Sequence, residues 1–323
     1  MTKNAVRSAY LGWFATAIAK VRGATSSIAG DEQDLVLGYA TGYDAADVAI
    51  FVRSLRSHYS GAVALVVDAD PELRDFLHSY DIETLDTPNL AVEGCGWSPH
   101  PVVSRFAGFD ALLRARPWVR NALLTDVRDV VFQGPPLEPA PKGLEFFAEC
   151  ETPLALHDFN MKYIRAVGGE QLASLVADEP CICVGTVLGP REYLMRFCRL
   201  ILMLGAIPRS EVGGAFGADQ ATCNLAVHLG LLEGQVFPNH SRVATLGMVP
   251  SAKMALQDGV IHNPDGSVSP IIHQYDRHPA LMTAMWSQWA ADVERRDRYR
   301  PRTFGDRIDR AVQSLKRRTV ELR

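Results

Sequence analysis

Apolar and polar positions alternate between two periods along the first part of the chain. Residues 34–39 form a short apolar run stopped by Thr41-Gly42, which predicts a buried strand. Residues 44–59 then repeat at helical spacing, with Val48, Phe51, Val52 and Leu55 on one face. A second apolar run covers 62–67 and ends at Asp68, and Pro71 opens a helix over 71–80. Further along, the pattern predicts a helix over 102–116, a strand ending at Asp126 and a proline-rich loop over 135–142. It then predicts short strands at 145–150 and 153–156, a strand at 182–188, and helices at 190–204 and 219–229. An additional helix is expected over 5–22. Alternating strands and helices predict an α/β fold around a mainly parallel sheet, and such sheets bind ligands at the carboxyl ends of their strands. Tyr39 to Gly42, Asp68 and Asp126 all fall at such ends.

Composition narrows the classes without naming one. The 323 residues are 47% hydrophobic and 22% charged, with a formal net charge of −4, which excludes disorder and gives no support for nucleic-acid binding. Residues 291–323 hold 11 Lys/Arg against 6 acids and so carry +5. This basic tail reads as a solvated helix and as a candidate for peripheral contact with anionic membrane. No apolar run is long enough to span a bilayer, and a cytoplasmic protein with membrane association through the tail is expected. The six cysteines form no C-x-x-C pair, so their spacing gives no zinc site; they read as reduced core residues. The domain expectation is a helical segment over 1–30, a catalytic domain over 31–285 and a basic helical tail over 286–323.

Candidate chemistry centres on Asp126-Val127-Arg128-Asp129. In a strand, positions three apart face opposite ways, so the two acids share a ligand only where the chain turns after Asp126. Two converging carboxylates suit a hard cation, Mg²⁺ or Mn²⁺, and His273 adds a ligand that Mn²⁺ accepts more readily than Mg²⁺ does. A solvated Asp-Arg-Asp turn is the bland alternative. Asp68 and Asp70 are equally placed to cap the helix that begins at Pro71, and Asp219 to cap its own.

The order of motifs resembles that of GT-A glycosyltransferases, which move a sugar from a nucleoside-diphosphate donor. In that family a D-x-D element ends a strand and binds a divalent metal with the donor diphosphate. Here one extra residue separates the acids, and the flanking apolar run aligns Asp129 with the second family Asp. Cys183-Val184-Gly185-Thr186-Val187-Leu188 resembles the small-residue strand beside the acceptor. Gly217-Ala218-Asp219-Gln220-Ala221-Thr222-Cys223-Asn224 resembles the D-Q-x-x-x-N segment of the retaining, family 8-like branch. Ile272-His273-Gln274-Tyr275 resembles that branch's late metal-ligand histidine.

The resemblance implies a GT-A single domain with a mixed, mainly parallel sheet, and a metal-dependent transfer from a UDP- or GDP-linked sugar to a saccharide or other hydroxyl acceptor. It implies metal ligation by Asp126, Asp129 and His273. Tyr39, Ala40 and Thr41 would contact the nucleoside, Asp68 its base or ribose, and Arg105 the diphosphate beside Asp126. Asp219 with Gln220 would organise the acceptor side, and Arg128 or Arg277 would serve as fixed cations. The rivals are a non-catalytic sugar-binding or partner-binding module on the same scaffold and a sugar nucleotidyltransferase. The second would want a basic phosphate loop, which Ala40-Thr41-Gly42-Tyr43 lacks.

Overall fold

A computed structural model describes residues 32–87, 101–205 and 217–294. The expected helix over 5–22 and the tail beyond residue 294 lie outside these residues. Strand β1 (Gln33–Tyr39) is followed by α1 (Ala45–His58), β2 (Ala62–Val67), α2 (Pro71–His78) and β3 (Glu83–Asp86). Then come α3 (Pro101–Arg114), β4 (Val119–Thr125) and β5 (Val130–Phe132). After them run β6 (Leu144–Pro153), α4 (Asp158–Leu175), β7 (Pro180–Pro190), α5 (Arg191–Leu204) and α6 (Ala218–His228). The last elements are β8 (Gly234–Phe237), β9 (Val243–Thr245), β10 (Ala255–Gln257), β11 (Val260–His262), β12 (Ile271–His273) and α7 (Pro279–Trp289).

Seven strands make the main sheet, in the order β3-β2-β1-β4-β7-β6-β8. Each neighbouring pair is parallel except the two made by β7, which runs against β4 and β6. The α/β architecture with a mixed, mainly parallel sheet therefore holds. Local signals explain the early elements. Asp44 and Asp47 close a reciprocal capping box at the start of α1. Asp70, and not Asp68, caps α2 by accepting from the backbone N–H of Glu72 at 3.0 Å.

Alternate residues of the strands enter two cores. Leu35, Leu37, Ala64 and Val66 pack with α3 and α5 through Phe106, Phe109, Leu194 and Phe197. Val36, Val63, Leu65 and Val67 pack on the other face with Val48, Phe51, Val52 and Leu55 of α1. Helices thus cover both faces, and the central strands read as unbroken apolar runs for that reason.

A second, three-stranded sheet, ordered β5-β12-β9, lies beyond the carboxyl end of β4. In it His273 pairs with Val130, one residue after Asp129. This pairing brings the late histidine to the acids. One expectation changes. Residues 153–156 are not a strand: Pro153 closes β6 and Leu154–Leu156 form a single 3-10 turn. Helix α7 places Trp286 and Trp289 against the core formed by α1, β5 and β12.

Candidate metal centre

The peptide leaves β4 at Thr125 and turns through Asp126 to Asp129 before β5 begins. Two backbone bonds fix the turn and a third fixes His273. Asp126 N donates to Gly185 O at 2.7 Å, Gln274 N donates to Asp129 O at 2.8 Å, and Leu246 N donates to His273 O at 2.9 Å. Val127 is buried beneath the strands, so the turn is anchored by an apolar side chain. The turn cancels the strand alternation that would have sent the two carboxylates to opposite faces.

Asp126, Asp129 and His273 each offer one ligand atom, and these atoms lie within 4.8 Å of one another. His273 Nε2 is 3.6 Å from Asp126 Oδ2 and 3.7 Å from Asp129 Oδ1. The two acids are thus equally placed, despite the extra residue between them. Nε2 is buried and has no hydrogen-bond partner, while Nδ1 lies 3.5 Å from Cys183 Sγ. A buried imidazole nitrogen left open between two carboxylates fits a coordinated cation, with the other nitrogen held by a neighbouring group. The donor set of two carboxylates and one imidazole is one that a divalent cation can occupy.

Arg105 governs the charge behind the acids. Its guanidinium donates to Asp126 Oδ1 at 2.5 Å and to Asp219 Oδ2 at 3.0 Å. Burial opposes the Asp126 charge, but Arg105 and His273 outweigh it and hold the carboxyl well below its ordinary range. Burial pushes Asp129 upward, helped by Asp126 and Asp276 and opposed by His273 and Arg128. Asp219, less well compensated, is pushed up by burial to about 6 against the pull of Arg105.

The other expected residues are placed as follows. Tyr39 packs its ring edge-on against Phe109, 4.9 Å between centroids, with burial pushing its hydroxyl pKa upward. Ala40 is fully buried, and Thr41 is exposed in the loop after β1. Asp68 accepts from Gly42 N at 2.5 Å and so ties the loops after β1 and β2 together at the carboxyl edge. Arg128 is half-exposed at the rim, 3.7 Å from Asp276, and Arg277 lies 3.5 Å from the same acid. Asp219 is in the first turn of α6 but does not cap it; Gly217 holds that position. Gln220 turns away from Asp219 and donates to Glu149 Oε2 at 2.9 Å, outside the acidic triad.

Three more residues lie beside the two acids and His273: sequence reasoning assigned Cys183 and Gly185 to the acceptor side and did not single out Tyr43. Cys183 meets the ring of His273, Tyr43 lies within electrostatic reach of Arg128, Asp126 and Asp129, and Gly185 leaves room for the site. Of these, Gly185 had a legible signal: a glycine inside an otherwise bulky buried strand marks a close approach. Comparison of the chain with protein-family models gives no match, and comparison with curated proteins gives none either.

Proposed function

We propose that this chain is a metal-dependent glycosyltransferase of GT-A type, moving a sugar from a nucleoside-diphosphate sugar to a hydroxyl acceptor. The observation that carries the reading is the convergence of Asp126, Asp129 and the open Nε2 of His273 at the carboxyl edge of the sheet. Mn²⁺ or Mg²⁺ held there would offset the charge of a departing nucleoside diphosphate as a Lewis acid. The mainly parallel sheet, with tied loops after β1 and β2 beside the acids, supports a donor at that edge.

The chain's own residues divide the work. Arg105 fixes the rotamer of Asp126 and keeps Asp219 within one charged network. Arg128 and Arg277, both more than half exposed, supply positive charge at the rim, where a phosphate would approach. Asp219, with a pKa of about 6, can hold or release a proton near neutral pH on the acceptor side.

Donor hydrolysis tests the reading. Incubated with UDP- and GDP-linked sugars, the chain is expected to release nucleoside diphosphate in Mn²⁺ and not in chelator. Asp129→Ala should lower that rate by about 100-fold or more, since losing even an outer partner of a metal ligand costs about 10- to 100-fold. Failure of every donor to bind in a metal-dependent way would sink the proposal.

A further inference from the structure

A second group of donor atoms lies on the same face of β7. Side chains two apart share a face, so Cys181, Cys183 and Gly185 form one row. Gly185 and Cys183 serve the site already described. Cys181 serves another: its Sγ lies 3.3 Å from Glu149 Oε2 near the end of β6. His157, just before α4 and 7% exposed, places Nε2 3.2 Å from Cys150 Sγ and 2.8 Å from Thr152 Oγ1. One ligand atom each from Glu149, His157 and Cys181 lie within 4.8 Å of one another.

Two side-chain amides beside this cluster act as hydrogen-bond donors to it. Asn160 Nδ2 donates to Cys181 Sγ at 3.1 Å, and Gln220 Nε2 donates to Glu149 Oε2 at 2.9 Å while lying 3.7 Å from the same sulfur. Two side-chain amides aimed at one sulfur and one carboxylate form a setting for anions, as outer partners of metal ligands do. Without a cation, burial and Glu149 keep the thiol protonated. Coordination reverses this, because a coordinating thiol is deprotonated outright.

We propose that Glu149, His157 and Cys181 form a second cation site that takes a borderline-soft divalent ion of the zinc class. Sulfur, imidazole and carboxylate together select zinc over the hard ions suited to Asp126 and Asp129. Asn160 and Gln220 position the ligands. The assignment does not depend on glycosyl transfer, since it rests on different residues and a different donor chemistry.

The test uses the full chain carrying Asp129→Ala, which cripples the oxygen-rich site. Calorimetric titration with Zn²⁺ is expected to find one ion per chain. Titration with Co²⁺ is expected to give a sulfur-to-cobalt charge-transfer band. Adding Cys181→Ser removes the band and weakens zinc binding by about 10-fold or more. Glu149→Gln keeps the side-chain shape and should also weaken zinc by about 10-fold, which covers the case of a misfolded serine variant. No zinc binding by the Asp129→Ala chain, an unchanged band in Cys181→Ser, or full affinity in Glu149→Gln would each overturn the site.

Discussion

A Cβ on Gly185 would lie 2.4 Å from His273 Cε1 and 2.7 Å from Asp126 Oδ2, closer than packed atoms tolerate. Neither neighbour has a free direction of retreat, since His273 is buried and Asp126 is held by Arg105. Gly185→Ala should therefore weaken the proposed divalent-cation binding at least tenfold, read by calorimetry with Mn²⁺, and cost ~1–3 kcal/mol by urea unfolding. Arg105 is constrained from the other side. Replacing it with Met strands the buried Asp219 and the partly exposed Asp126 and is expected to cost ~3 kcal/mol, with Arg105→Lys in between. The type and position of Arg105 were legible in the sequence. Its two acid partners, 21 and 114 residues away, were not.

Elements whose signals are local were legible. The capping box at Asp44 and Asp47, the proline at the start of α2 and the continuous apolar runs of β1 and β2 each follow from neighbouring residues. Asp44→Ala should cost ~1 kcal/mol, measured as a drop in the urea midpoint, because α1 loses the side chain that accepts from Asp47 N. Helix α4 was missed for a local reason too: Gly168-Gly169 interrupts it, and Gly169 has φ of 77°. Strands β9 and β12 are three residues long and exist through their pairing with each other and with β5. No periodicity within three residues could announce them.

Across the molecule, buried charge links stability to pH. Asp110 on α3 is fully buried, and burial pushes its pKa from 3.8 to about 6 even though Arg199 donates to it at 2.8 Å. Between those values the folded chain holds more protons than the unfolded one, so this group's contribution falls as pH rises from about 4 to 6. The loss approaches ~3 kcal/mol above that window. Asp110→Asn should flatten the slope in urea unfolding between about pH 4 and 6; an unchanged slope would show that another group sets it. Among the described residues no helix is long and apolar enough to cross a membrane. The sequence alone determined the alternation of strands and helices, and it marked the acids and the histidine that gather at the carboxyl edge of the sheet. Period, capping and residue chemistry are properties of short stretches. Tertiary structure decided which atoms meet: Nε2 of His273 between two carboxylates, Arg105 between two acids, and Cys181 beside Glu149 and His157. Those contacts join residues from 21 to more than a hundred positions apart. They are set by strand order and register, which the pattern of a short stretch does not encode.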